Sequence, residues 1–150
     1  MTRPIYETQS DVISERWVAE VMGFAWNCEV LKLPRLWPAD YCCVRGRNVE
    51  AFLEIKVRSY TFEALSAMGG YMIDVRKVAA LQSLTATTGK KAFLCVCLAG
   101  RVFYMGITPS TQPTKVVMGG RRDRSDAADI EPCAVFGMHM FVPIKQEKEA

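Results

Sequence analysis

Apolar and polar positions follow two different periods along this chain. Val12, Ile13, Trp17, Val18, Val21 and Met22 recur at helical spacing and predict a helix from Asp11 to Met22. Ser10 or Asp11 is placed to cap it, Ser14 and Glu15 fall in its first turn, and Gly23 is placed to end it. A strand is expected over residues 25–33, then the Pro-bounded stretch Pro34-Arg35-Leu36-Trp37-Pro38. Asp40–Arg45 reads as a short strand and Gly46-Arg47-Asn48 as a turn. Val49–Arg58 is the clearest alternating run in the sequence. Ala51, Leu53, Ile55 and Val57 share one of its faces, and Phe52, Glu54, Lys56 and Arg58 the other. Two strands across a tight turn predict a β-hairpin.

Tyr60 to Ile73 keeps no single period and is broken by Gly69-Gly70. Asp74–Thr88 predicts a second helix, capped by Asp74 and ended by Gly89, with Val75, Val78, Ala79, Leu81 and Leu84 on its apolar stripe. Ala92–Leu98 is continuously apolar, as a strand buried on both faces would be. Ala99-Gly100 turns it into a further strand, Arg101–Ile107. Gly-, Asp- and Arg-rich chain follows to Pro132, then a short apolar piece from Ala134 to Ile144 and a charged tail expected to fray. Val135–Ile144 suits either an edge strand of the same sheet or an interface strand. The element order predicts an α/β sandwich around a mixed sheet.

Composition narrows the class. A chain of 150 residues is one ordinary domain. With 50% apolar and 23% charged residues it is not a disordered chain. A net charge of +3 excludes a polycation that grips nucleic acid by charge alone, but permits a local basic surface. No apolar run reaches the ~18 residues needed to span a bilayer. The stretch Met1–Glu7 has no secretory pattern, so a cytoplasmic protein of a bacterial or phage-infected cell is expected. Of the six cysteines, four lie in apolar runs and all are read as reduced. Adjacent Cys42-Cys43 and the pair Cys95, Cys97 lack the spacing of a zinc site.

The candidate chemistry lies on the polar face of the long strand. Glu54 and Lys56 are two apart and project side by side. Fourteen residues earlier, Asp40 opens the partner strand, and a hairpin of this length can bring Asp40 and Glu54 together. Two carboxylates and one ammonium on adjacent strands suit Mg²⁺, which takes one or two carboxylates plus water and phosphate oxygens. Taken alone, Glu54 and Lys56 also fit a salt-bridging pair on a solvated sheet face.

Pro38-Ala39-Asp40 followed by Glu54-Ile55-Lys56 resembles the PD-(D/E)xK nuclease superfamily, with Ala39 as an insertion between the Pro and the Asp. The resemblance spans about Asp11 to Ile107. It implies a restriction-endonuclease-like core, a central mixed β-sheet flanked by helices in αβββαβ order with an extra β, and an appended segment after residue 107. It implies that Asp40, Glu54 and the Ile55 backbone carbonyl hold Mg²⁺, with Mn²⁺ able to substitute, and that Lys56 is the catalytic lysine. A first-helix glutamate joins the site in many members. Glu15, which shares a helical face with Val18, Ala19 and Met22, is the candidate, ahead of Glu20. From the second helix, Gln82 and Lys77 are the residues available. The implied activity is Mg²⁺-dependent hydrolysis of DNA phosphodiesters by a dimer or larger homo-oligomer. The alternative is a nuclease-fold protein without catalysis that binds nucleic acid or a host protein.

Arg45, Arg47, Arg58, Tyr60 and Lys77 are the candidate nucleic-acid contacts, since cations near aromatics suit phosphate and base contact. The Arg121-Arg122-Asp123-Arg124 stretch and Asp126, Asp129 and Glu131 read as a charge-balanced loop, not a Ca²⁺ loop. His139, the only histidine, sits between Met138 and Met140 and reads as a packed or edge residue.

Overall fold

The strand patterns of the sequence sort into two sheets. The computed structural model describes residues 9–120 and 130–146. The Met1–Glu7 stretch and the Arg121–Asp129 residues of the charged loop lie outside those described. The elements run α1 (Gln9–Trp26), β1 (Glu29–Lys32), β2 (Tyr41–Arg45), β3 (Asn48–Arg58), α2 (Phe62–Met68), β4 (Tyr71–Asp74), α3 (Val75–Thr88), β5 (Lys91–Leu98) and β6 (Arg101–Ile107). They continue as β7 (Lys115–Gly120), β8 (Ile130–Phe136), a 3-10 turn at Met138–Met140 and β9 (Val142–Pro143).

The main sheet has the order β1-β2-β3-β5-β6-β9. Only the β3–β5 pair is parallel, so the sheet is mixed as expected. The αβββαβ order is present as α1β1β2β3 and α3β5, with α2 and β4 inserted before α3. Alternation along β3 separates two cores. Ala51, Leu53 and Ile55 pack with Val18, Ala19 and Met22 of α1. Phe52 packs on the other side with Val78 and Leu81 of α3 and Leu94 and Val96 of β5. Leu53 and Ile55 are fully buried, worth about 1.5–3 kcal/mol each.

Two local expectations change. The first helix runs through Gly23 to Trp26, so only Glu29–Lys32 of the predicted 25–33 strand pairs. Its end is a Schellman motif: Cys28 N–H donates to Gly23 O at 3.0 Å, Asn27 N–H to Phe24 O at 3.3 Å, and Asn27 has φ 53°. Gly23 serves a different need, because a Cβ there would stand 2.9 Å from the Cys28 carbonyl oxygen. The glycine lets β1 return close under the helix that it was expected to end.

The second change concerns the chain after Ile107. It forms a three-stranded antiparallel sheet of order β4-β8-β7, which no single-strand pattern foretold. Ala134 and Phe136 of β8 enter the α3-side core, and β9 closes the far edge of the main sheet against β6. This segment is therefore woven into the core: of the expected Val135–Ile144 strand, Val135 and Phe136 belong to β8 of the second sheet, and Val142–Pro143 is the edge strand of the main one. The predicted helix over 74–88 and the hairpins at Gly46 and Ala99-Gly100 are present. All six cysteines are free thiols.

Candidate active site

Glu54 is the one charged residue buried among the described residues, with no exposed surface. Its position follows from alternation. Leu53 and Ile55 must face α1, so Glu54 must face α3. Asp40 precedes the first registered pair of β2, Tyr41 with Leu53. Its backbone is held on both sides, since Asp40 N–H donates to Leu53 O at 3.0 Å and Leu33 N–H donates to Asp40 O at 2.8 Å. Its side chain leans onto β3, where Ile55 N–H donates to Asp40 Oδ2 at 3.2 Å. The hairpin thus brings Asp40 and Glu54 to one place.

Two ammonium groups meet Glu54 there. Lys56 Nζ lies 3.2 Å from Oε2 and Lys77 Nζ lies 3.4 Å from Oε1. Lys77 also donates to Pro38 O at 3.3 Å, tying α3 to the loop that carries Asp40. Both Glu54 oxygens are buried, and each faces one of these ammonium groups. Burial pushes the Glu54 carboxyl above the ordinary carboxylate range. Lys56 opposes the shift, Asp40 adds to it and Lys77 opposes it. Burial works against the charge on Lys56, but the Glu54 and Asp40 carboxylates outweigh it and leave the ammonium above its ordinary pKa.

A cavity of about 520 Å³ opens beside these groups, lined by Lys56, Arg58, Tyr71, Asp74, Arg76 and Lys77 among others. Arg76 clamps its rim, with Nη2 2.9 Å from Asp74 Oδ2 on β4 and 2.7 Å from Glu131 Oε1 on β8. Tyr71 forms a buried wall. Burial raises its phenol above the ordinary range, while the charges of Arg58 and Lys56 act against that rise. Tyr71 carried no signal in the sequence, because the stretch around it lacks a period.

Divalent ions of the Mg²⁺ type take hard oxygen donors, and one or two carboxylates suffice. Asp40 and Glu54 are two carboxylates of that kind, brought together by the hairpin. No group of three or more His, Cys, Asp and Glu side chains suited to a metal occurs among the described residues.

The other candidates lie elsewhere. Glu15 is on the α1 side of the sheet, where the Tyr41 hydroxyl donates to its Oε1 at 3.4 Å and Lys32 Nζ is 3.8 Å away. Sheet alternation separates it from Glu54, which faces α3. The structure therefore does not bring Glu15 to the two carboxylates. Gln82 lies on α3, five residues past Lys77 and well round the helix from it. Its Nε2 donates to Thr108 O at 3.0 Å and Thr111 O at 2.9 Å, so it fastens a loop and faces away from Glu54. Arg45 caps the end of α1, donating to Trp26 O at 2.7 Å and Asn27 O at 3.2 Å. Arg47 stands at the hairpin tip, roughly 20 Å along β3 from Glu54. Arg58 and Lys77 line the cavity, and Tyr60 sits just beyond it.

Residues 1–144 match the family described as "Phage putative PDDEXK endonuclease". The chain belongs to this endonuclease family. Of Asp40, Glu54 and Lys56, the last lines the cavity directly. The structure is also similar to that of Hjc, a Holliday junction resolvase from the archaeal hyperthermophile Archaeoglobus fulgidus. That likeness is at 13% identity, covers 67% of this chain and 74% of that one, and has a TM-score of 0.49. No match was found among curated proteins. No helix among the described residues is long and apolar enough to cross a membrane.

Proposed function

We propose that this PDDEXK-family chain hydrolyses DNA phosphodiester bonds with a divalent ion, Mg²⁺ or Mn²⁺, held by Asp40, Glu54 and the Ile55 backbone carbonyl. The observation that carries this reading is Glu54: a fully buried carboxylate, between Lys56 and Lys77, lies beside the second carboxylate Asp40. A carboxylate taken out of water so fully is costly unless cations meet it. Bound there, the ion supplies an acidified water and offsets charge building on the phosphate.

The chain's own groups divide the remaining work. Ile55 N–H fixes one Asp40 oxygen and leaves the other for coordination. Lys56 stays protonated under the influence of Glu54 and Asp40, and its ammonium orients the attacking water and faces the phosphate. Lys77 holds Glu54 and the Pro38 carbonyl in register. Arg58 and the mouth of the cavity take the neighbouring backbone phosphates. Glu15 and Gln82 stand outside this set. One such site cuts one strand, so a duplex break takes two copies and calls for a homo-oligomer.

The test is cleavage of supercoiled plasmid with Mg²⁺, Mn²⁺ or EDTA by wild type, Lys56→Ala and Asp40→Ala. Cleavage only by wild type with a divalent ion is expected, and equal cleavage by all three proteins would sink the proposal. A parallel melting series gives a readout without activity. Mg²⁺ raises the Tm of wild type and leaves that of Glu54→Gln where it was.

A further inference from the structure

A second cavity adjoins the one beside Lys56. It holds about 260 Å³ and shares three walls with its neighbour: Arg58, Tyr71 and Met72. Beyond them it is lined by Tyr60, Met68 and Lys115, over a floor of Val117 from β7 and Val135 from β8. Tyr60 is 49% exposed, Met68 60% and Met72 48%. An aromatic ring and two thioethers are thus left open to water around one small depression, beside two cations.

Gly70, at φ 138°, leads into β4 so close to β8 that a Cβ would fall 2.3 Å from the Phe136 carbonyl oxygen, and this tight approach sets one wall of the depression. Lys115 Nζ is held over the C-terminal cap of α2, 3.7 Å from where a Gly69 Cβ would stand. The carbonyl ends of a helix favour a cation there. Arg58 stands on β3 two residues beyond Lys56 on the same face, a step of about 7 Å. The depression therefore lies within a short stretch of strand from the bond to be cut.

We propose that this second cavity receives an unstacked nucleobase of the DNA strand whose phosphate occupies the first. An apolar pocket with an open aromatic face suits the flat face of any base, and Arg58 and Lys115 suit the phosphates on either side. A paired base in a duplex cannot reach such a pocket without leaving its stack. The substrate class that follows is DNA with unpaired nucleotides next to the cut: a flap, a gap, a branch or a single strand. This rests on the nuclease reading for the neighbouring phosphate, and the experiment separates the two.

The experiment measures binding in EDTA, where no cleavage is needed. Fluorescence anisotropy compares a labelled single-stranded oligonucleotide, a flap and a fully paired duplex of equal length, for wild type, Tyr60→Ala and Val117→Phe. Tyr60 is exposed, and circular dichroism and melting check that each variant is folded. Expected is at least tenfold tighter binding of the flap and single strand than of duplex. Tyr60→Ala and the pocket-filling Val117→Phe each lose about tenfold on unpaired DNA and little on duplex. A 2-aminopurine placed beside the flap junction changes its emission with wild type and not with Tyr60→Ala. Equal affinity for all three DNAs, or an equal loss on duplex and unpaired DNA, overturns the proposal. Duplex cleavage without any preference for unpaired DNA sinks the pocket and leaves the nuclease. Tyr60-dependent binding of unpaired DNA without Mg²⁺-dependent cleavage sinks the nuclease and keeps the pocket.

Discussion

Lys77, in the first turn of α3, places its ammonium 3.4 Å from Glu54 Oε1 in the middle of β3. A helix residue and a strand residue twenty-three positions apart thereby share one buried charge. The contact changes how the second helix serves the site. With the proposed ion bound, Lys77 would compete with it for Glu54 and would also supply positive charge to a phosphate in the cavity.

Those two roles separate in the Lys77→Ala variant. Loss of a cation this close to a coordinating carboxylate strengthens its hold on a divalent ion, since the competing attraction is gone. Cleavage nevertheless suffers, because the phosphate loses a cation and Glu54 loses an anchor. The expected result is a lower Mg²⁺ concentration for half-maximal rate, with a maximal rate down about tenfold or more. A Mg²⁺ titration of plasmid nicking reads both numbers. A higher Mg²⁺ requirement would show that Lys77 only positions Glu54.

Gln82 is expected to matter for stability and not for rate. Its amide satisfies the Thr108 and Thr111 carbonyls at 3.0 and 2.9 Å, and their loss costs about 1–3 kcal/mol. Gln82→Ala should lower the urea midpoint and keep the cleavage rate per folded molecule within about twofold. A large fall in rate with unchanged stability would return Gln82 to the site.

Arg45 and Arg58 form a matched pair for DNA binding. Arg45 spends its guanidinium on the last carbonyls of α1, while Arg58 faces both cavities. Arg58→Ala should weaken binding and reduce the slope of log K against log salt by about one. Arg45→Ala should leave that slope unchanged and lower the Tm. Binding isotherms at several salt concentrations, with a melt of each protein, decide between them.

The Asp74–Arg76–Glu131 clamp makes a pH prediction. Burial pushes the Asp74 carboxyl up, but hydrogen bonds from the Arg76 side chain and backbone outweigh it and leave the pKa below the usual range. A depressed carboxyl stabilises the fold above its unfolded pKa, and that contribution is lost as pH falls through the folded value. Wild type should therefore lose stability on acidification below about pH 4, and Arg76→Ala should lose less over the same window. Urea midpoints from pH 7 to pH 3 measure this. Parallel curves for the two proteins would remove the clamp from the balance.

The sequence alone carried the hairpin and its chemistry. A period of two along β3 puts Glu54 and Lys56 on one face, and the short connection to Asp40 leaves the chain little choice of partner. Asp74 and Gly89 bound α3 because their local chemistry, a side-chain acceptor and a left-handed cap, acts within a turn. These are nearest-neighbour effects, and they are written where they act. The helix end at Trp26 was misread for the same reason. Gly23 looks like a stop, and only the approach of β1 to within van der Waals distance explains it.

Tertiary structure decided which charges meet. Glu15 and Glu54 both point inward, but they point at opposite faces of one sheet, and no local pattern records which face a helix covers. On α3 the sequence offers Gln82 to the site and Lys77 to DNA, but packing turns Lys77 to Glu54 and Gln82 to the 108–111 loop. The second sheet pairs β4 with β8 across a long stretch of chain, Tyr71 with Phe136 and Asp74 with Cys133, and no local pattern records such a partner. Both cavities are built against that sheet. The candidate site residues on the hairpin were therefore legible from local alternation. The cavities beside them came from long-range pairing, where burial and backbone satisfaction over the whole chain outweigh any single segment's preference.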